Sequence, residues 1–200
     1  FLLLDPLSYV RRFKNGEDIE IAGLLAASLS YGRVEQIQKS LETLSKMTGD
    51  ALTQFTTETT LDEKRKAFGG FKHRFNSGTD VALLLECIRK IKTDHVTLEK
   101  FFIRGLSPKD VNIKQALHHF VTAFKTMGTE LTGRRQKNFD YLFPSPLSGS
   151  ACKRLNMYLR WMVRKNDGVD FGLWTSLSPA LLVIPVDTHI ARIARKLRLV

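Results

Sequence analysis

Apolar residues recur along this chain at intervals of three and four, the spacing that places side chains on one face of an α-helix. No stretch alternates strictly between apolar and polar residues around a hairpin turn, so sheet is not expected to be important. The helical spacing is clearest in two stretches, Val34, Ile37, Leu41 and Leu44, and Val81, Leu84, Leu85 and Ile88. The sequence therefore predicts an all-α fold.

Polar caps, prolines and glycines mark where these helices begin and end. Thr79 is placed to cap one of them, and Gly69-Gly70 forms a clear break before it. The same signals predict helices over residues 5–13, 19–30, 33–47, 50–55, 61–68, 79–91, 97–103 and 113–127.

The chain carries a large excess of positive charge. Its 200 residues, enough for one large or two small globular units, include 31 Lys and Arg against 20 Asp and Glu, a net charge of +11. Such an excess favours a polyanionic partner, nucleic acid before a membrane. The longest apolar run, residues 177–186, is broken by Pro179 and Pro185, so we expect no membrane span. No signal peptide is visible, and we expect a cytoplasmic protein.

Cysteine and histidine residues give no sign of a metal site. Cys87 and Cys152 are the only cysteines, too few for a disulfide framework and without zinc-binding spacing. His118, His119 and His189 lack the spacing of a ligand set. We therefore expect neither a metal nor a cofactor.

Near the C-terminus, an aspartate opens a basic helix. Pro185 ends an apolar run, and residues 186–197 then read Val-Asp-Thr-His-Ile-Ala-Arg-Ile-Ala-Arg-Lys-Leu. Asp187 is placed to accept backbone N–H groups at the start of this helix. Apolar residues at 186, 190, 193, 194 and 197 form one face, and Arg192, Arg195 and Lys196 lie off it. Taken alone, the aspartate fits an ordinary cap on a basic helix.

A second informative block lies upstream, where a turn rich in proline, serine and glycine leads into another basic helix. The turn spans residues 143–150, and the helix follows at about Lys153. A tight turn at a helix N-terminus exposes backbone N–H groups, an arrangement that suits phosphate. The helix has an apolar face of Leu155, Tyr158, Leu159 and Met162 and a basic face of Lys153, Arg154, Arg160 and Arg164.

Together the two blocks resemble the helix-hairpin-helix DNA glycosylases, the superfamily of endonuclease III and 8-oxoguanine glycosylase. Gly-Ser-Ala-Cys-Lys-Arg-Leu-Asn (149–156) and Asp-Thr-His-Ile-Ala-Arg-Ile-Ala-Arg-Lys-Leu (187–197) also look like an uncharacterised bacterial family, distantly similar to archaeal 8-oxoguanine glycosylases. The resemblance is specific in residues 143–198 and loose over most of the rest.

The resemblance implies one all-α domain over residues 1–200, with two lobes and a cleft between them. One lobe would contain about residues 20–135, and the other about residues 1–19 together with 136–200. We expect the C-terminus to be incomplete. The iron–sulfur loop of endonuclease III follows the aspartate helix, so its absence from residues 1–200 leaves open whether the protein has one.

It also implies a nucleoid-associated DNA repair enzyme of base excision, a monomer acting on double-stranded DNA that contains a damaged base. The damaged base would be an oxidised purine, removed by glycosylase activity with associated AP lyase activity. Asp187 is the expected catalytic carboxylate, because breaking an N-glycosidic bond builds positive charge on the sugar. Lys153 is the expected nucleophile, because an amine that attacks C1′ forms a Schiff base from which strand cleavage follows. Neighbouring Arg154 and partial burial are expected to activate this lysine.

Further roles are expected from the same resemblance. Tyr31 and Arg33 would fill the gap left by a flipped base, although a plain helix end with a core tyrosine explains them equally well. Trp161, Phe171 and Trp174 would sandwich that base, with core packing as the alternative. The other expected DNA-binding residues are Gly149, Ser150, Arg154, Arg160, Arg164, His189 and Arg192, with Arg195 nearby.

Two segments receive structural predictions of their own. Residues 128–138 are polar and basic, and are predicted to be a linker or a DNA-facing loop. Asp167 and Asp170 are predicted to cap a short helix that contains Trp174.

The chain departs from the glycosylase pattern in its turn. Phe143-Pro144 matches the usual Leu-Pro, but Ser145 and Leu147 stand where two glycines let the backbone approach a phosphate. Lys153 also comes later than a strict overlay allows, and Asp187 follows it after 34 residues, a long interval. These departures support a rival interpretation, a non-catalytic nucleic-acid-binding protein that retains the fold.

Overall fold

The computed structural model describes residues 5–49, 51–165, 168–186 and 188–198. In these residues the regular structure is helical apart from one short β-hairpin, so the all-α prediction is confirmed. The hairpin pairs β1 (Lys72–His73) with β2 (Asn76–Ser77). The helices are α1 (Leu7–Val10), α2 (Gly16–Leu29), α3 (Val34–Thr48), α4 (Leu52–Glu58), α5 (Leu61–Ala67), α6 (Gly78–His95), α7 (Leu98–Ile103), α8 (Lys114–Thr132), α9 (Lys137–Leu142), α10 (Lys153–Val163) and α11 (Thr188–Lys196).

Helix α2 lies at the centre of the fold. Nearly all of its residues are buried, including the acidic Asp18 and Glu20 in its first turns. It packs against α1, α4, α6 and α10, so one continuous core joins the N-terminal and C-terminal parts of the chain. Gly23 lets α10 approach closely, because a Cβ atom there would lie 2.8 Å from Met162 Cε. None of the helices described is both long and apolar enough to cross a lipid bilayer.

The start of α6 differs from the prediction by two residues. The helix begins at Gly78, and its cap is Ser77 rather than Thr79. The Ser77 backbone N–H donates to Asp80 Oδ2 at 2.7 Å, which completes a reciprocal capping box. Sequence reasoning missed this cap because the β-hairpin, which ends at Ser77, was not predicted.

The predicted linker or DNA-facing loop over residues 128–138 is wrong for most of its length, since only residues 133–136 lie outside helices. Helix α8 continues to Thr132 and ends at Gly133, whose φ of 70° is left-handed. Gly128 is buried inside this helix against α9, and a Cβ atom there would lie 2.5 Å from Phe139 Cε1. The glycine therefore permits close helix packing and does not mark a break in the helix.

The predicted short helix around Trp174 is also wrong, and Asp167 lies outside the described residues. The segment runs without helical structure along the end of α10, where it donates hydrogen bonds to otherwise unpaired carbonyls. Phe171 N–H donates to Trp161 O, and Trp174 N–H donates to Met162 O, both at 2.8 Å. Asp170 accepts a hydrogen bond from Arg160 Nε at 3.0 Å rather than capping a helix.

We predict that Gly78→Ala lowers the free energy of unfolding by about 1–3 kcal/mol, the usual range for overpacking. A Cβ atom at this position would lie 1.8 Å from the backbone oxygen of Phe68, which cannot move away as a side chain can. Urea denaturation measures the change. Gly70→Ala is the control, since space around Gly70 is open, and equal losses in both variants would contradict the packing described.

Candidate nucleic-acid interface

The turn before α10 has an unusual backbone. A 3-10 turn, Pro146–Ser148, is capped by the Ser145 side chain and ends at Gly149 with a left-handed φ of 77°. Nothing lies within 4 Å of a Cβ atom built on Gly149, so the backbone is open to a ligand at this point. Cys152 also has a positive φ, 47°, and α10 begins at the next residue. Gly149 thus gives the turn a left-handed glycine two residues after Leu147.

A cleft of about 410 Å³ lies beside this turn. One wall is the turn itself, a second is the start of α8, and a third is the segment that leads to Asp187. Asp187 lies outside the described residues, as does the side chain of His189. The lining includes Gly149, Ser150, Ala151, Cys152, Ile113, Leu117 and residues 183–186. The turn before Lys153 and the segment before Asp187 therefore meet at one cleft.

Lys153 itself lines a smaller cleft of about 320 Å³, together with Tyr141, Pro144 and Arg154. Ser150 contributes to both clefts and so stands between them. The Lys153 residue is exposed, so the expected partial burial is not found. Its approach to Asp187 stays a prediction.

Asn156 contributes a polar group to the wall of the larger cleft. Its Nδ2 donates to Ala151 O at 3.1 Å and to Cys152 O at 3.2 Å, which fixes the amide. Its Oδ1 is buried and has no hydrogen-bond partner among the described residues. A buried acceptor without a partner is costly in a folded protein, so this residue is a candidate ligand contact.

Arg154 is occupied by contacts inside the protein. Its guanidinium donates to the backbone oxygen of Ser28, at the end of α2, and to Tyr141 O at 2.5 Å. The same group lies 5.0 Å from the ring centre of Tyr31 and 4.8 Å from that of Tyr141. Burial lowers the pKa of Arg154. The predicted DNA contact is thus, in this structure, a residue that joins α2, α9 and α10.

Tyr31 is held in the same cluster. Its ring stacks on Phe75 with 5.3 Å between centres, and its hydroxyl contacts Asn76 Oδ1 and the His73 backbone oxygen. Burial raises the pKa of Tyr31 to about 12. Of the two residues predicted to fill a flipped-base gap, Tyr31 is therefore fixed in place and only Arg33 is exposed.

The β-hairpin presents an exposed aromatic residue, Phe75, that sequence reasoning missed. His73 and Asn76 are fully buried on either side of its tip, whereas Arg74 and Phe75 at the tip are exposed. His73 Nδ1 lies 2.8 Å from Ser40 Oγ, and its Nε2 lies 3.1 Å from the Tyr31 backbone oxygen. Two-residue strands are too short to show alternation, so the only sequence signal was an aromatic residue among basic ones.

The predicted base sandwich is not formed by the tryptophans in this structure. Trp161 and Trp174 are 4% and 2% exposed, which leaves neither ring a face open to a base. Trp174 Nε1 donates to Glu20 Oε1 at 2.8 Å, and the ring lies against Tyr158 and Phe102 in the core. Only Phe171 is partly exposed.

The remaining predicted cations lie at the surface. Arg160 and Arg164 both approach the buried carboxylate of Asp170, with nitrogen–oxygen distances of 3.0 and 3.6 Å. Arg192 and Arg195 are exposed on α11. In the described ranges, no three His, Cys, Asp or Glu side chains are grouped so as to hold a metal ion.

The described residues define a basic, predominantly helical protein in which the turn before α10 and the segment 183–186 meet at a cleft. The chain matches the model of the family described as protein of unknown function DUF2400 over residues 5–200, and it belongs to that family. Comparisons with curated proteins and with solved structures gave no match.

Acidification is predicted to destabilise the protein through His73. Burial lowers the pKa of His73, so the unfolded chain binds a proton more readily than the folded one below the ordinary value of about 6.5. The stability due to the neutral imidazole is present above that pH and is lost as the pH falls through it. We expect the free energy of unfolding to fall between pH 7.5 and 5.5, and to fall less in His73→Gln. Equal pH dependence in both proteins would contradict this role.

Arg154→Lys is predicted to lower the free energy of unfolding by about 1–3 kcal/mol, although it keeps the charge. A lysine ammonium cannot donate to both carbonyls as the planar guanidinium does. Arg12→Lys is the control, because its ion pair with Glu42 is exposed on both sides and contributes little. Thermal and urea denaturation should separate the two variants. An Arg154→Lys protein as stable as the wild type would contradict a structural role for this arginine.

Proposed function

We propose that this chain is a helix-hairpin-helix DNA repair glycosylase with associated AP lyase activity, which removes an oxidised purine from double-stranded DNA. The observation that carries the proposal is the larger cleft, where the turn preceding Lys153 meets the residues preceding Asp187. The chain on the N-terminal side of each of these two residues therefore lines the same cleft. The proposed enzyme is a monomer with two lobes.

DNA binding in this proposal rests on charge and on the backbone of the turn. The net charge of +11 favours a polyanion. Among the described hydrogen bonds, none uses the backbone N–H groups of Ser150 and Ala151, which come just before Cys152, the residue that caps α10. Free N–H groups beside a helix N-terminus are suited to a phosphate. Arg192 and Arg195, both exposed on α11, add positive charge to the part of the chain that follows the cleft segment 183–186.

The proposed chemistry divides between the two residues. Lys153 Nζ, in its neutral form, forms a bond to C1′ as the bond from C1′ to the base nitrogen breaks, and the base leaves with that electron pair and takes up a proton. Asp187 stabilises the positive charge that develops on the sugar. The attached amine then loses a proton, and the bond from C1′ to the ring oxygen breaks as that oxygen takes up a proton, which opens the sugar ring and leaves a Schiff base. Loss of a C2′ proton then expels the 3′ phosphate, which cleaves the strand.

A second candidate is a nucleic-acid-binding protein without catalysis. Two observations favour it: Lys153 lines the smaller cleft and not the larger one, and the positions of the two glycines carry other residues. One of these, Ser145, instead caps the turn and lies 3.1 Å from His118 Nδ1. The two candidates share DNA binding and differ only in covalent chemistry.

Borohydride trapping separates the candidates. We expect the wild-type chain to form a covalent adduct with a duplex that contains 8-oxoguanine or an abasic site. Lys153→Gln should abolish trapping because no amine remains to form the Schiff base. Asp187→Asn should slow base release by about a hundredfold, the scale of losing one electrostatic contact to a transition state, while DNA binding changes little.

Lys66→Gln is the matched control, since Lys66 is an exposed lysine on α5 and the substitution changes the net charge equally. It should trap as the wild type does. Base release and trapping that persist in Lys153→Gln would overturn the assignment of the nucleophile. Salt-dependent DNA binding without base release or adduct would favour the non-catalytic candidate.

A further inference from the structure

We propose that Phe75, at the tip of the β-hairpin, stacks on a nucleobase of bound DNA next to an unstacked nucleotide. The inference rests on the proposed function, since it names a contact within DNA binding. The role of filling the gap left by a flipped base, expected at Tyr31, is thereby assigned to a residue on a different element. The hairpin is anchored, its tip is strained, and the tip carries an exposed aromatic surface beside positive charge.

The hairpin is anchored on both sides of its tip. His73 and Asn76 are each 0% exposed, although both side chains are polar. His73 contacts Ser40 and Tyr31, and Asn76 Nδ2 donates to the Asn138 backbone oxygen at 2.7 Å. The tip is therefore held by elements as distant in sequence as α3 and α9. A residue that must insert between bases benefits from such a rigid support, because little conformational entropy is lost on binding.

The backbone at the tip is strained. His73 pairs with Asn76, so Arg74 and Phe75 are the two central residues of a tight turn. Arg74 has a φ of 55°, a conformation that favours glycine at this position. Its side chain lies against Gly32, where a Cβ atom would be only 3.0 Å from Arg74 Cδ. Strain of this kind is retained where a side chain has a role that glycine cannot fill.

Two aromatic rings are exposed at this tip. Phe75 is 40% and Tyr141 is 44% exposed, and their centres lie 4.4 Å apart with the rings nearly perpendicular. Tyr31 supports them from within, stacked on Phe75 and edge-on to Tyr141. Core packing does not account for two exposed rings on a rigid support. Aromatic surfaces of this kind stack on nucleobases with little preference for sequence.

Cations border the aromatic surface. Arg74 is on the tip, and Lys72 is on the adjoining strand. Arg33 is next to Gly32, which the Arg74 side chain contacts. All three cations are exposed. Lys153 lines a cleft together with Tyr141, which connects this surface to the turn before α10. Aromatic side chains combined with a basic border are the features that bind unstacked nucleic acid. They favour a nucleobase over an apolar protein partner.

The test measures binding of the full chain to a duplex that contains an abasic-site analogue with 2-aminopurine beside it. Phe75→Ala should weaken binding to this duplex about tenfold, within the range for loss of one base–aromatic stack. It should also abolish the change in 2-aminopurine fluorescence that the wild-type chain produces. Phe75→Trp should retain both properties, because it keeps an aromatic ring. Phe75→Leu keeps apolar bulk without a ring and should behave as Phe75→Ala, which separates stacking from folding.

Val96→Ala is the control, since Val96 is 60% exposed at the opposite end of α6 from the hairpin. It should bind as the wild type does. If the wild-type chain binds DNA and both Phe75→Ala and Phe75→Leu bind equally well, the inference is overturned and the proposed function stands. If the wild-type chain binds no DNA at any salt concentration, the proposed function fails, and this inference fails with it.

Discussion

The close packing of α2 against α10 is the contact on which the rest of the structure depends. Gly23 has no side chain, so Met162 and Tyr158 of α10 lie directly against the α2 backbone. Two polar contacts join the same helices or their flanks: Arg154 reaches Ser28 O, and Trp174 reaches Glu20. Because the turn that contains Gly149 leads directly into α10, the position of α10 on α2 also sets the position of that turn and of the larger cleft.

Two neighbouring residues show how this packing assigns roles to positive charge. Arg154 faces inward, where its guanidinium is used by two carbonyls and two aromatic rings. Lys153, one residue earlier, is exposed beside the turn. Of these two cations on the basic face seen in the sequence, one is structural and the other is exposed. Net charge indicates that the partner is a polyanion, but only the packing shows which cationic side chains are exposed to contact it.

The helices follow from sequence because apolar periodicity and caps are local signals. What sequence reasoning missed depends on contacts between distant residues. Gly128 was interpreted as a linker residue, but it is a helical residue packed against Phe139. Trp174 does not lie in a helix, because its backbone N–H donates to an otherwise unpaired carbonyl at the end of α10. The β-hairpin escaped because its strands have two residues each and are held by side chains of distant elements.

The candidate site could be predicted from the sequence only in part. The order of turn, lysine helix and aspartate helix predicted that Lys153 and Asp187 act at one site, and in the structure the residues just before each of them, 149–152 and 183–186, line the larger cleft. The roles of single side chains were less accessible, because burial decides them: Tyr31 and Arg154 carry promising residue types but are engaged inside the protein. Phe75 gave almost no signal, since its exposure depends on the anchored hairpin.

The most direct test of the account is a crystal structure of the chain bound to a duplex with an abasic-site analogue. The account predicts the extrahelical sugar at the cleft between Gly149–Ala151 and residues 183–186, with Lys153 Nζ and the Asp187 carboxylate both approaching C1′. A phosphate should lie at the N–H groups of Ser150 and Ala151. DNA bound on another face, or a sugar distant from both side chains, would contradict the account.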